Sequence, residues 1–197
     1  MSSKMSEDTF KTRDFDNPSI LFKLEDVLMG LIGGPFYYNP HYKTYGLQGG
    51  ECVLDFGCGG GAGSQCLIKL IGEKGHLTCI DLSNYRIRKA EERLKKYPNA
   101  ECIAGDIRNI HVPDSLFDVI SVIHVIHDIP PADRQGTVNE LLRTLKTGGK
   151  LFIWEPTKPS HGMPAEEIRK LLTEAGLDEA ECDANDSKYK GKYVKAD

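Results

Sequence analysis

Residues 53–63 read Val53-Leu54-Asp55-Phe56-Gly57-Cys58-Gly59-Gly60-Gly61-Ala62-Gly63, a short apolar run that enters a glycine-rich loop through a carboxylate. Glycines at such a turn let backbone approach a ligand closely, and the helix that follows offers free N–H groups to a negative group. Read as Gly57-x-Gly59-x-x-Ala62, the loop also satisfies a dinucleotide fingerprint. Asp55 separates the two readings. An acid there repels a pyrophosphate and attracts an amino-acid-like ligand bearing an ammonium group. A merely tight turn accounts for one or two glycines but not for this run.

Outward from the loop, strand and helix alternate. A helix with Leu67, Leu70 and Ile71 on one face stops near Gly72, and residues 76–80 form a second strand ending in Asp81. Ser83 caps the next helix, with Ile87, Ala90 and Leu94 as its buried stripe and the pairs Glu91–Lys95 and Glu92–Lys96 outside. A third strand over residues 101–104 runs into Gly105-Asp106, and a fourth over 117–123 is nearly all apolar, as a strand buried on both faces should be. Pro131 opens a helix with Val138, Leu141, Leu142 and Leu145 facing inward, ended by Gly148-Gly149, and a fifth strand spans 150–154. The tail predicts a helix over 164–175 and two strands over 178–183 and 190–195. Strands joined by single helices return through right-handed crossovers and pair in parallel, whereas the last two form a hairpin. The expectation is an α/β fold: a doubly wound, Rossmann-like sheet, mostly parallel, with one antiparallel strand near the C-terminus and helices on both faces.

Upstream, Asn17 and Pro18 start a helix carrying Ile20, Leu21, Leu24, Val27, Leu28 and Leu31 as an apolar stripe, and Gly33-Gly34 stop it. The aromatic stretch from Pro35 to Tyr42 reads equally as a loop packed on the core or as a lid over a ligand. Residues 1–50 are therefore expected to form an N-terminal helix and aromatic lid segment, and residues 51–197 the ligand-binding domain.

Composition narrows the class of protein. Of 197 residues, 40% are hydrophobic and 27% charged, an ordinary globular balance for one core. No apolar run approaches the roughly 20 residues needed to span a bilayer. Residues 1–16 are polar with no apolar stretch of secretory type, so a cytoplasmic location is expected. Net charge is −4 and there is no dense basic block, which disfavours nucleic acid. Lys188, Lys190, Lys192 and Lys195 alternate along the last strand and read as protection of a solvated edge. Cys52, Cys58, Cys66, Cys79, Cys102 and Cys182 contain no Cys-x-x-Cys pair and read as small buried hydrophobes, not as disulfides or a zinc site.

Ligands of open α/β sheets bind beyond the carboxyl ends of the strands. After the second strand, Asp81 lies 24 positions beyond Gly57 and suits a ribose with its two hydroxyls, with Leu82 against the base. After the third, Asp106 is placed to accept from an exocyclic amine, with Ile107 against the ring, although Gly-Asp pairs are also ordinary turns.

Together, Val53–Gly61, Asp81, Gly105-Asp106, Phe117-Asp118-Val119-Ile120 and Leu145-Lys146-Thr147-Gly148-Gly149-Lys150-Leu151 resemble, in order, the motifs of class I S-adenosylmethionine-dependent methyltransferases. The resemblance spans residues 51–156 and is nearest the branch that includes ubiquinone and menaquinone biosynthesis enzymes. It implies S-adenosylmethionine as cofactor. Asp55, Gly57 and Gly59 would hold its methionine part, Asp81 the ribose, and Asp106 and Ile107 the adenine, with Cys58, Leu82 and Ile123 completing the cofactor contacts. Thr147 stands where the family usually has proline, and Cys58 sits inside the glycine loop. The acceptor is expected to be a small molecule, since no sizeable insertion follows the fifth strand and only the N-terminal quarter is free to cover the site.

Direct in-line transfer needs alignment above all, and a general base only where the acceptor loses a proton. His124, past the fourth strand, is the candidate base. Tyr37, Tyr38, His41, Tyr42, His127 and Trp154 are candidates for the acceptor pocket, with Glu155 and His161 nearby. No metal is expected, because His124 and His127 lack an evident third ligand. Three competing readings remain at this stage: an NAD(P)-dependent oxidoreductase, a non-catalytic S-adenosylmethionine-binding protein, and a metalloid methylase that would need Cys102 or Cys182 at the pocket.

Overall fold

The computed structural model describes residues 36–196. The predicted helix over residues 17–31 lies outside them. A short helix α1 (Asn39–Lys43), with Pro40 in its first turn, precedes β1 (Cys52–Phe56). Then follow α2 (Ser64–Ile71), β2 (His76–Asp81), α3 (Asn84–Leu94), β3 (Ala100–Ala104) and β4 (Phe117–Ile123). A 3-10 turn η1 (Ile126–Asp128) and α4 (Pro131–Thr144) lead into β5 (Leu145–Lys158) and the two-residue β6 (His161–Gly162). The chain closes with α5 (Ala165–Glu174), β7 (Leu177–Asn185) and β8 (Lys188–Lys195).

The sheet runs in the order β3-β2-β1-β4-β5-β8-β7, with β6 paired to β5. The first five strands are parallel, and β8 is antiparallel to both β5 and β7. The terminal hairpin and its single reversed strand are thus as expected. Strand order turns back between β1 and β4, the kind of switch point at which open α/β sheets bind ligands.

Successive strand residues point to opposite faces. Leu54, Ile120, Leu151 and Ile153 join Val138, Leu141, Ile168 and Leu172 in one core cluster. Val53, Val119 and Phe152 join Tyr42, Tyr45, Leu67 and Ile68 in the other. Helices therefore cover both faces. No helix among the described residues is long and apolar enough to cross a membrane.

Three expectations need correction. The helix before β5 ends at Thr144 rather than at Gly148-Gly149. Leu145 already pairs with Phe117, and the register slips before resuming at Val119 with Lys150. Gly148, with φ of 70°, shapes that irregularity inside the strand rather than capping the helix. Second, β8 is not an edge. The α5 crossover carries the chain one strand position outward, so β7 becomes the edge and β8 returns to fill the gap. Tyr189, Gly191 and Tyr193 point into the core, while Lys188 and Lys192 pair with Asp183 and Glu181 on β7, each at 2.6 Å. Lys195 Nζ donates to the carbonyls of Leu142 and Leu145, 2.8 Å each, closing the C-terminus of α4. Third, Lys95 pairs with Glu92 rather than Glu91, because α3 ends at Leu94.

Candidate functional site

The glycine loop crosses the carboxyl end of β1 and is stitched to β2, where the N–H groups of Gly57 and Cys58 both donate to the Ile80 carbonyl, at 2.8 and 3.2 Å. Gly57 and Gly59 have φ of 71° and 54°, left-handed values that favour glycine. They differ in surroundings. A Cβ on Gly57 would lie 2.3 Å from Val125 Cγ2, whereas one on Gly59 meets nothing within 4 Å. Gly57 is a packing requirement, and Gly59 borders open space.

Two carboxylates lie on the strands that carry the loop, Asp55 on β1 and Asp81 at the end of β2. Asp55 is only 4% exposed, and Ser64 at the start of α2 donates to its Oδ2 at 2.6 Å. Burial pushes its carboxyl up to about 7, against the pull of the Ser64 hydroxyl and with a further push from Asp81. Asp81 accepts from Gly59 N and Ser83 N, 2.9 Å each, and Arg86 Nη1 lies 3.8 Å away. It therefore holds the loop against β2. Each carboxylate oxygen has a second lone pair, so these bonds leave room for a hydroxyl ligand. Ser83 is the N-cap of α3, accepting from Arg86 N, which leaves Asp81 out of the capping role. Beside Asp81, Leu82 is 60% exposed, a large apolar side chain presented to solvent next to the loop. Cys58 is half-buried, its thiol donating to the Gly59 carbonyl at 3.5 Å.

The third strand end departs from expectation. Arg108 engages the Asp106 carboxylate through Nε and Nη2, at 3.0 and 2.6 Å, and its Nη1 reaches Asp133 at 2.5 Å. Hydrogen bonding from Arg108 outweighs burial and holds the Asp106 carboxyl below its ordinary value. A guanidinium two residues along thus takes the oxygens that an exocyclic amine would need. Ile107 is 1% exposed and belongs to the core cluster with Phe56 and Ile80, so its side chain does not face an open ring site. Ile123, the last residue of β4, is half-buried against the other cluster.

Beyond β4 and β5 an aromatic group assembles. Trp154 stacks on Tyr37, with centroids 4.7 Å apart at 23°, and lies 4.8 Å from His41 and 5.3 Å from His124. Lys190 Nζ sits 3.7 Å above the Trp154 ring, a cation–π contact. His124 is exposed, has φ of 57°, donates its N–H to the Trp154 carbonyl at 2.8 Å, and meets the Tyr37 hydroxyl at Nε2 at 3.4 Å. Non-glycine residues in this conformation concentrate at functional sites. Although His124 is exposed as a residue, desolvation of its ring among Tyr37 and Trp154 lowers its pKa, and burial lowers that of His41 to about 4 with help from the charges of Lys190 and His124. The aromatic stretch divides between its two readings. Phe36 and Tyr37 are exposed at the rim, Tyr38 is half-buried, and Tyr42, which stacks on Tyr38, is buried in the core and so does not line an open pocket. Tyr45, not singled out from sequence, stacks on Phe152 at 3.8 Å and bonds Ser121 at 3.1 Å and His41 at 3.3 Å. Its spacing from His41 is helical, the one sequence signal that pointed to it.

His127 sits deeper. The fully buried Glu155 accepts from Val125 N and Ile126 N at 2.8 Å each and meets His127 Nδ1 at 2.5 Å. His127 Nε2 lies 3.2 Å from His161 Nε2 and 3.6 Å from Asp128 Oδ1. The third ligand that the sequence did not make evident is thus present beside His127: Asp128 lies next to it in η1, and β6 brings His161 back after β5.

All six cysteines are free. Cys79 lies within hydrogen-bonding reach of Cys58 and of Cys102, its register partner on β3. Only Cys79 is fully buried, and Cys182 is exposed on β7, so burial is less complete than expected. Cys102 and Cys182 lie on opposite edge strands, β3 and β7, so the two thiols do not converge, although Cys182 lines a cavity with Tyr37, His41 and Lys190.

Residues 53–149, just under half the chain, match the methyltransferase domain family. The ubiquinone/menaquinone biosynthesis C-methyltransferase of Shewanella sediminis is 29% identical over 122 residues, covering 60% of this chain and 48% of the relative. The demethylmenaquinone methyltransferase of Listeria welshimeri is 30% identical over 120 residues, covering 60% and 50%. The chain thus spans about half the length of the curated relatives it matches. Among solved structures, a SAM-dependent methyltransferase from Aquifex aeolicus superposes with a TM-score of 0.76 at 25% identity, over 90% of this chain and 98% of that one. The N-methyltransferase NodS from Bradyrhizobium japonicum, solved with S-adenosyl-L-homocysteine, shares the fold with a TM-score of 0.69 at 22% identity, over 85% and 91%. In strand order, glycine loop and these likenesses together, the chain is similar to the class I S-adenosylmethionine-dependent methyltransferases.

Proposed function

We propose that this chain passes the methyl group of S-adenosylmethionine to a small-molecule acceptor by direct in-line transfer. The observation that carries the reading is the open space over Gly59, whose N–H donates to Asp81, on a loop entered through Asp55, with Leu82 exposed next to Asp81. These residues fit an amino-acid nucleoside: a carboxylate for an ammonium group, lone pairs on Asp81 for ribose hydroxyls, and an apolar side chain for a base. S-adenosylmethionine, when bound, supplies a methyl group already made electrophilic by its sulfonium.

The remaining work belongs to the chain. The glycine loop and Asp81 fix the donor end, and an acceptor held in line opposite it gains the large advantage of proximity. Tyr37, His41, Trp154 and His124 provide aromatic faces on the side of β4 and β5. Those faces, together with relatives named for C-methylation in quinone biosynthesis, favour a planar aromatic acceptor. His124 takes the proton that such an acceptor sheds. Its lowered pKa keeps the imidazole neutral near pH 7, the form a base requires.

Incubation with an isotopically labelled methyl donor and a broad pool of aromatic metabolites tests the reading. Label should appear in a small aromatic product and be lost with Asp81→Ala. Binding of the donor with no labelled product anywhere in the pool would leave a non-catalytic binding protein. A rise in melting temperature with NADH instead of the donor would indicate an oxidoreductase.

A further inference from the structure

We propose that His127, His161 and Asp128 hold a divalent first-row transition-metal ion of the zinc type, at a site distinct from the glycine loop. Among the described residues, these three form the group whose ligand atoms converge, all within 4.8 Å of one another. They come from two segments that the fold brings together: η1 after β4, and β6 folded back on β5 through Thr157–Gly162 and Lys158–His161 pairs.

The geometry suits an ion. Zinc binds imidazole nitrogen at about 2.0–2.1 Å, so two nitrogens on one tetrahedral centre stand roughly 3.3 Å apart. The Nε2 atoms of His127 and His161 are 3.2 Å apart. Asp128 Oδ1, half-exposed and 3.6 Å from His127 Nε2, is the third donor of the group. Two imidazoles and one carboxylate, with a side left open, are the ligand set of catalytic zinc and non-haem iron centres.

The second observation is the shell behind His127. A metal-binding histidine ordinarily gives its other ring nitrogen to a carboxylate, which fixes its tautomer and orientation. Glu155 does this for Nδ1 while two backbone N–H groups hold the carboxylate itself. With the Nδ1 proton facing Glu155, the lone pair of His127 Nε2 points outward at His161. Arg134 fixes the turn from the other side, donating to the carbonyls of Ile129 and His127 at 3.0 and 3.3 Å, with its charge matched by Glu167 at 2.5 Å. Without an ion, His161 Nε2–H donates to His127 Nε2. Uptake of an ion requires only that His161, which is exposed, move that proton to Nδ1.

The test uses the full chain stripped with chelator and titrated with Co²⁺, then with Zn²⁺ by calorimetry. One equivalent of Co²⁺ should give visible ligand-field bands without the near-ultraviolet charge transfer of thiolate ligands. His161→Ala and Asp128→Asn, at accessible positions whose loss spares the core, should each weaken binding at least tenfold. Glu155→Gln should weaken it by about 10- to 100-fold. Absence of stoichiometric binding would overturn the proposal. So would a thiolate band that His161→Ala leaves unchanged, which would send the ion to the cysteines.

Discussion

A buried acid beside an open crevice is the residue on which most chemistry here converges. Burial holds Asp55 protonated up to about pH 7, while in the unfolded chain it ionises near 3.8. Between those values the unfolded state has released a proton that the folded state retains, so this group's contribution to stability is full below about 3.8 and is lost as pH rises through about 7. Asp55→Asn, which mimics the protonated form, should therefore gain on wild type in urea-denaturation stability between pH 4 and 7, and the difference should level off above 7. A pH-independent difference would place the strain elsewhere. His124 makes a second residue-scale case. Asparagine tolerates its left-handed backbone, so His124→Asn should change stability by no more than about 1 kcal/mol. Loss of a general base should nevertheless slow methyl transfer by about a hundredfold or more. Equal rates for variant and wild type would remove His124 from the chemistry.

At the scale of elements, the glycine loop separates fold from function. Gly57→Ala forces a left-handed alanine against Val125 and should cost about 2 kcal/mol or more in denaturant unfolding. Gly59→Ala carries the backbone term alone, about 1 kcal/mol, yet places a methyl group in the open space. Its main effect should be a tenfold or greater loss of S-adenosylhomocysteine affinity by calorimetry. The edge strand offers a different prediction. Glu179 on β7 accepts from Arg169 Nε at 2.8 Å and from the Tyr189 and Tyr193 hydroxyls at 2.9 and 3.0 Å. Burial raises its pKa, but these donors together outweigh burial and lower it. Glu179→Gln should destabilise the chain by about 1–3 kcal/mol. Short-range pattern made most elements readable: the continuous apolar runs of β1 and β4, and the stripe of Ile87, Ala90 and Leu94 with its Ser83 cap. The end of α4 and the start of β5 were not readable, because Gly148-Gly149 serves a strand irregularity as well as it would a helix stop. Nor was β6, two residues long and held only by its partner.

For the molecule as a whole, alternation and crossover handedness were enough to foresee the parallel sheet and its reversed strand. They could not say which of the last two strands lay at the edge, since that depends on how far α5 carries the chain. The same limit governs the site. Asp55, Asp81 and Gly59 were legible because each lies at or just beyond the carboxyl end of a strand. The capture of Asp106 by Arg108, the burial of Ile107, and the meeting of His127 with His161 depend on side-chain direction and on a return of the chain. The central claim is that one crevice at the β1–β4 switch point is shaped for an S-adenosyl nucleoside. Calorimetric titration of S-adenosylhomocysteine into wild type and Asp81→Ala tests it most directly. One-to-one binding, weakened by about tenfold or more in the variant as two backbone-anchoring bonds and the ribose contact are lost, is the predicted result. Equal binding by both proteins, or binding of NADH in its place, would contradict it.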